Sequence, residues 1–169
     1  MCIRDRYRIK EQEPSNYGDF TNPIGIPEIV KDGEDITVVS YGSTFNLCVE
    51  ASNELDKLNI SCELIDIQTL IPFDLNKVIV KSLSKTNKVI FIDEDVPGGA
   101  TAYMMDQVIN KQKGYFHLDS QPVTLTAKDH RPAYGTDGDY FSKPSINDII
   151  ESIYSIMSEN NPSKYPSIY

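Results

Sequence analysis

The residues best suited to chemistry lie between positions 93 and 99, where a run of carboxylates precedes two glycines. Asp93, Glu94 and Asp95 follow the most apolar predicted strand, and Gly98 and Gly99 open the predicted helix after it. Ligands of open α/β sheets bind outside the carboxyl ends of strands, and helix N-termini attract anions. Three carboxylates would repel a phosphate, and the chain has neither a GxGxxG motif nor a Walker lysine. We therefore interpret the glycines as a turn that seats a helix against a neighbour.

A second stretch of glycines and acids spans residues 134–140. Asp137, Gly138 and Asp139 are similar to part of a calcium-binding loop, but the alternating acidic ligands and the closing glutamate are missing. The pattern favours an exposed turn flanked by Tyr134 and Tyr140.

The histidines and cysteines give weaker signals. His130 could act as an acid or base and Arg131 as an anion clamp, but a catalytic histidine needs a positioned partner, and none can be named. We expect His117 to be packed in its aromatic and apolar surroundings. Three cysteines without a CxxC pair do not form a disulfide framework, so Cys48 and Cys62 are predicted to be reduced residues of the core.

The elements that position these residues follow from the hydrophobic pattern. Apolar and β-branched runs predict strands at residues 28–31, 36–41, 61–66, 88–93 and 123–127. Apolar residues at helical spacing predict helices at 44–58, 75–83, 99–109 and 146–157, with Ser43 or Thr44 capping the first and Asp74 the second. Alternating strands and helices imply an α/β fold of three layers, with mostly parallel strands and helices on both faces of the sheet.

Composition limits the class of protein. The chain has 169 residues, enough for one domain, and 40% are hydrophobic, enough for a core. A net charge of -9 argues against nucleic acid as the main partner, because phosphate binding needs a basic surface. The chain has no run of about 18 apolar residues and no signal-peptide pattern, so we expect a cytoplasmic protein without a membrane span.

The N-terminal residues lack a usable period. Residues 1–27 carry several prolines and glycines among polar residues, which predicts an extended connector and suggests that another domain comes before it. Residues 1–6 are similar to a translated sequencing adapter; the alternative is a natural flexible terminus. We expect them to contribute nothing to the fold.

Taken in order, these segments resemble the C-terminal domain of the transketolase superfamily, above all that of the beta part of 2-oxoacid dehydrogenase E1 components. Residues 64–74, LIDIQTLIPFD, are similar to the family pattern IDLRTLxPxD, with Gln68 where arginine is usual. Residues 25–43, 82–86, 89–94 and 98–99 follow in the family's order, and residues 131–166 resemble enzymes in which alpha and beta parts are fused. The resemblance implies a mixed five-stranded sheet whose first strand is antiparallel.

The resemblance also implies a function for the intact enzyme. Such enzymes decarboxylate a 2-oxo acid on thiamine diphosphate and magnesium, and transfer the acyl group to the lipoyl group of an E2 protein. The pyrimidine-binding and diphosphate-binding domains have no counterpart in this sequence, and Gly135 to Asp139 inverts the Gly-Asp-Gly order of the diphosphate motif. We therefore expect a fragment made of a domain at 28–158 and a tail at 159–169. Alone it should be inactive, with no catalytic, cofactor-binding or metal-binding residues.

The resemblance implies that this chain makes contacts within a larger enzyme. It implies a homo-oligomeric intact enzyme in which this chain contacts the remaining E1 domains or the alpha part. The inter-domain or subunit contacts are expected at Gly98, Gly99, His130, Arg131, Tyr140 and Lys143. An acidic surface for a basic domain of E2 is expected at Asp119, Asp148, Glu151 and Glu159, although a merely solvated acidic surface explains the same charges. Two alternatives remain: the same domain from transketolase or another thiamine enzyme, and a free-standing flavodoxin-like binding module.

Overall fold

One mixed sheet of five strands organises the computed structural model, which describes residues 10, 13, 15, 18–131 and 136–167. The strands are β1 (Glu28–Lys31), β2 (Ile36–Ser40), β3 (Cys62–Asp66), β4 (Val89–Ile92) and β5 (Val123–Leu125). Their order across the sheet is β1-β3-β2-β4-β5. β1 is antiparallel to β3, and the other pairs are parallel. The predicted α/β class is confirmed, and each strand lies within two residues of its predicted bounds.

Five α-helices connect or flank these strands within the described ranges. They are α1 (Gly42–Asp56), α2 (Val78–Thr86), α3 (Ala100–Met105), α4 (Thr136–Ser142) and α5 (Ile146–Asn160). α3 continues as a π-helix over Asp106–Lys111, and a 3₁₀ turn follows at Gly114–His117. None of the helices in this part of the chain is both long and apolar enough to cross a bilayer.

The start of α1 differs from the prediction. The helix begins at Gly42, one residue before Ser43, so neither Ser43 nor Thr44 can be its N-cap. Tyr41 occupies that position in an extended conformation and makes no side-chain capping bond. The hydroxyl pattern was misleading because β2 leads directly into the helix through the positive φ of Gly42.

Asp74 does cap the second helix, although that helix starts later than predicted. Its carboxylate accepts hydrogen bonds from the backbone nitrogens of Val78 at 2.7 Å and Ile79 at 3.0 Å. Lys77 intervenes with a left-handed φ of 53°, which leaves Leu75 outside the helix. Asp74 is therefore a capping acceptor of α2, but the predicted N-cap position and the predicted start at residue 75 are wrong, because Lys77 is the N-cap and the helix begins at Val78.

The exposed turn predicted for residues 134–140 is wrong in its described part. Residues 132–135 lie outside the described ranges, but α4 occupies Thr136–Ser142. The carbonyl of Ser142 accepts a hydrogen bond from Lys128 N at 2.9 Å, and Ser142 is buried. Packing of this segment against the rest of the domain overrides its turn-like composition.

Hydrophobic side chains cover both faces of the sheet, as three layers require. On one face, α1 and α5 pack against alternate strand residues such as Val38 and Leu64. On the other face, α2 and α3 pack against the residues between them, such as Val39 and Ile65. Because successive strand residues point to opposite faces, the central strands are apolar on both sides.

The C-terminal tail returns to the domain after α5. Tyr165 is only 4% exposed, and its hydroxyl donates a hydrogen bond to the Asn59 carbonyl at 3.0 Å. Its ring meets Tyr154 edge to face, with centroids 6.1 Å apart. Asn59 lies between the end of α1 and the start of β3, so the tail is fixed at the amino edge of the sheet.

Candidate functional site

The sheet has a carboxyl edge, which we define as the ends of β2, β3, β4 and β5 with the loops that follow them. α1 leaves β2 toward one face and α3 leaves β4 toward the other, so the crevice between these adjacent strands is a topological switch point. β1 also begins at this edge, because Glu28 pairs with Asp66, the last residue of β3. Ligands and partner surfaces of such sheets meet the protein here.

Tyr41 and Asp93 form the polar centre of this edge. The Tyr41 hydroxyl donates to Asp93 Oδ2 at 2.7 Å, and the backbone nitrogen of Glu94 donates to Oδ1 at 2.7 Å. Burial raises the pKa of Asp93, and the charges of Asp95 and Glu94 raise it further, while the two hydrogen bonds lower it. Burial and Asp93 also raise the pKa of Tyr41, so its phenol stays protonated and holds the carboxylate in place.

The neighbouring carboxylates also have ion-pair or hydrogen-bond partners. Glu94 forms an ion pair with Lys143 at 3.1 Å, and Asp95 accepts a hydrogen bond from Val96 N at 2.8 Å. A diphosphate at this edge would face three carboxylates and a lysine that already has a partner. Within the described ranges, no three metal-ligating side chains are grouped to hold an ion. The residues of the carboxyl edge therefore do not fit thiamine diphosphate or its magnesium ion.

Gly98 and Gly99 form the tight turn that begins α3. Gly98 has a φ of 87°, and a Cβ at position 99 would collide with the carboxylate of Asp95. Gly99 N donates to the Val96 carbonyl at 3.0 Å. The turn seats the helix beside the carboxylates, in agreement with our interpretation of these glycines.

The other predicted contact residues lie on the segment between β5 and α5. His130 contacts its own segment: its Nδ1 lies 2.8 Å from the Arg131 carbonyl, and its ring is 5.6 Å from that of Phe141. Tyr140 is exposed on α4. Through the Lys143–Glu94 ion pair the structure joins this segment to the loop after β4, at the carboxyl edge.

Three of the four predicted docking acids line two adjoining grooves beside β5, which we call the acidic grooves. One groove, of about 410 Å³, is lined by Glu151 and Glu159 together with Val123. The other, of about 640 Å³, is lined by Asp119, which pairs with Lys88 at 3.3 Å, and again by Glu159. The grooves therefore form one acidic surface.

The fourth docking acid, Asp148, has a structural role. Its carboxylate accepts from the backbone and the hydroxyl of Ser145, and the Ser145 hydroxyl accepts from Asp148 N, which completes a capping box at the start of α5. A serine three residues before an acid at a helix start carries this signal in the sequence.

The sequence did not predict two groups of residues at these sites. Tyr41 contacts Asp93 because β2 and β4 are adjacent, and no local pattern announces that pairing. Tyr115 and Phe116 are exposed aromatic residues with ring centroids 5.9 Å apart, and they line the larger acidic groove. Two adjacent aromatics shortly before Asp119 were the available signal for the second group.

Known proteins show the same domain. The sequence profile described as "Transketolase, C-terminal domain" matches residues 25–142. The pyruvate dehydrogenase E1 component subunit beta of Rhizobium meliloti is 28% identical over 82% of this chain and 30% of the relative. The mitochondrial 2-oxoisovalerate dehydrogenase subunit beta of Dictyostelium discoideum is 36% identical over 61% of this chain and 28% of the relative.

A solved structure shares the fold. The structure described as "Split gene transketolase, inactive beta4 tetramer" superposes with a TM-score of 0.66 at 17% identity, covering 86% of this chain and 46% of that one. This chain spans less than a third of the length of the two curated relatives. The profile covers more than half of this chain, and the relatives agree with the resemblance found in the motifs. The chain belongs to the transketolase C-terminal domain family.

Proposed function

We propose that this chain is the C-terminal assembly domain of a 2-oxoacid dehydrogenase E1 component, of the pyruvate or the branched-chain type. The observation that carries the proposal is that the curated relatives are E1 beta subunits of enzymes for these two substrate classes. The intact enzyme would decarboxylate a 2-oxo acid and acylate the lipoyl group of E2 in the cytoplasm. Thiamine diphosphate would supply the carbanion chemistry, held by other domains because the carboxyl edge does not fit it.

The first role of this chain is contact with those other domains. Gly98, Gly99, Tyr140 and Lys143 would meet them at the carboxyl edge, together with His130 and Arg131. Exposure of Tyr140 supports this assignment, as does the Lys143–Glu94 pair, which fixes the segment carrying it. The Tyr41–Asp93 hydrogen bond would keep the surface below these residues in one conformation.

The second role is docking of a basic domain of E2. Asp119, Glu151 and Glu159 line the acidic grooves, where Tyr115 and Phe116 add exposed aromatic surface. Carboxylates attract lysine and arginine side chains, and aromatic rings bind their cationic heads and apolar stems. Asp148 would contribute through its charge only, because its carboxylate is committed to the capping box.

Enzymatic activity is tested on the longer protein. The coding sequence upstream of this chain is recovered, and the complete protein is expressed with its alpha part. We expect decarboxylation of pyruvate or of 3-methyl-2-oxobutanoate that depends on thiamine diphosphate and magnesium. A folded protein that decarboxylates neither, or that transfers ketol groups between sugars, would overturn the proposal in favour of another thiamine enzyme.

Docking is tested on this chain by titration calorimetry with the peripheral-subunit-binding domain of the same organism's E2. Affinity should fall steeply with added salt, because the attraction is between charges. Glu159→Gln should weaken binding by about two- to fivefold, the value of one exposed charge pair. Glu50→Gln, an exposed acid on α1, is the matched control. An affinity that does not change with salt concentration, or equal affinities for the two variants, would contradict docking at the acidic grooves.

A further inference from the structure

Three exposed aliphatic residues stand at the carboxyl edge, on the segment before β1 and on the loop after β3. Ile24 is 74% exposed, Ile71 is 76% exposed and Leu75 is 61% exposed. We call these three residues the Ile71 patch. None of them takes part in either hydrophobic core, and neither the inter-domain contacts nor the acidic grooves proposed above use them.

The patch is held as one surface although its residues are far apart in the sequence. Leu75 N donates to the Gly25 carbonyl at 2.9 Å, which joins the segment before β1 to the loop after β3. A Cβ on Gly25 would lie 2.9 Å from Pro72 Cγ and 3.1 Å from Leu75 Cδ1, so the two segments are in close contact. The loop is also fixed to the start of α2, because the buried carboxylate of Asp74 accepts hydrogen bonds from the first backbone nitrogens of that helix. An aliphatic surface supported in this way is prepared for a partner.

The direction of β1 indicates which partner this is. Because β1 is antiparallel to β3, the chain reaches the sheet at the carboxyl edge, with Phe20 exposed on the way and Ile24 within the patch itself. Any domain joined ahead of residue 18 is therefore tethered next to the Ile71 patch, and the tether raises its effective concentration there.

We propose that the preceding domain of the same E1 polypeptide packs against the Ile71 patch. This proposal rests on the proposed function. That domain would cover the patch with an apolar surface of its own, since the patch itself presents only aliphatic side chains. A second copy of this chain is the competing occupant, and the experiment below distinguishes the two.

The test uses thiol labelling at one patch position and one control position. Ile71→Cys and Leu58→Cys are each introduced into this chain, together with Cys2→Ser, and into the complete E1 protein. Leu58 is exposed at the amino edge, away from the patch, and the native Cys48 and Cys62 are buried. We expect similar maleimide labelling of both new thiols in this chain. In the complete protein, labelling at position 71 should slow by about tenfold or more, with position 58 unchanged, because thiol reactivity follows exposure.

Two labelling outcomes would overturn the proposal. Equal labelling at position 71 in both proteins would mean that the preceding domain does not cover the patch. Protection in the isolated chain that grows with its concentration would assign the patch to a second copy. Decarboxylase activity of the same preparations separates this result from the proposed function: an active enzyme with an unprotected position 71 contradicts the patch assignment alone, and an inactive protein with a protected position 71 contradicts the function alone.

Discussion

At the scale of single residues, the hydrogen bond between Tyr41 and Asp93 determines how the carboxyl edge responds to pH. The Asp93 carboxyl has a raised pKa in the folded chain, chiefly through burial. The folded state therefore binds a proton more readily than the unfolded state, and stability falls as the pH rises from 3.8 through the folded pKa. The Tyr41 hydroxyl limits this loss, because it stabilises the charged form.

Tyr41→Phe should lower the free energy of unfolding by about 1.5 to 3 kcal/mol at pH 7, the usual value of a hydrogen bond to a charged group. The substitution raises the pKa of Asp93 further, so its cost should shrink as the pH falls below the folded-state pKa, where the carboxyl of the folded protein is protonated in both the wild type and the variant. Urea unfolding of the wild type and the variant at a series of pH values measures this loss of unfolding free energy. Tyr154→Phe removes a hydrogen bond to the Pro166 carbonyl and serves as a pH-independent control. A Tyr41→Phe cost that stays constant with pH would contradict the argument.

The buried cysteines allow a prediction about reactivity. Burial raises the pKa of both Cys48 and Cys62 to about 12, and the two thiols are free. Iodoacetamide at pH 8 should leave both unmodified in the native chain, because only the thiolate reacts. In urea without reductant, mass spectrometry should find both modified, and Cys2 with them. A Cys48–Cys62 bridge, or fast modification of the native chain, would show that these thiols are not inert core residues.

At the scale of elements, the C-terminal tail depends on one aromatic anchor. Tyr165 packs into the core formed by α1 and α5 and hydrogen-bonds Asn59. Tyr165→Ala should cost about 3 kcal/mol of unfolding free energy, as expected when a buried aromatic side chain is deleted. Tyr165→Phe should cost about 1 kcal/mol, the value of the lost hydrogen bond. The exposed Tyr115→Ala should stay within about 0.5 kcal/mol of wild type. Equal denaturation midpoints for all three variants would mean that the tail is not anchored.

The elements also show which signals in a sequence are reliable. Strands were predicted well because buried parallel strands are continuous apolar runs, as in residues 88–93. Helix starts were predicted less well because they depend on backbone conformation. Lys77 adopts a left-handed φ without being a glycine or asparagine, so nothing in its residue type separates Leu75 from α2.

At the scale of the whole molecule, the central prediction concerns what this chain does not bind. The carboxylates of Asp93, Glu94 and Asp95 dominate the carboxyl edge, so this chain alone should not bind thiamine diphosphate with magnesium. Titration calorimetry should give no heat of binding, and no decarboxylation of a 2-oxo acid should exceed the blank. The complete E1 protein with its alpha part is the positive control. A micromolar Kd for the isolated chain would contradict the assignment of the cofactor to other domains.

The candidate sites show the limits of sequence reasoning at this scale. The acidic run 93–95 and the glycines after it are local, so they could be recognised as one feature. Tyr41 joins that feature only because β2 and β4 are neighbours in the sheet, across 52 residues of sequence. The Ile71 patch likewise forms only because the segment before β1 bonds to the loop after β3, where Leu75 N donates to the Gly25 carbonyl. Contacts of this kind depend on strand order, which a single sequence does not encode locally.

The antiparallel first strand has a consequence for how genes containing this domain can be joined. Residue 28 stands at the carboxyl edge of the sheet, whereas the anchored Tyr165 lies beside Asn59 at the amino edge. A domain whose ends lie on opposite edges can be linked in series, but it is poorly suited to insertion into a surface loop of a host protein, which requires neighbouring ends. A reporter protein fused after the tail would be tethered near Tyr165, across the sheet from Ile71. C-terminal tagging therefore suits functional work better than N-terminal tagging.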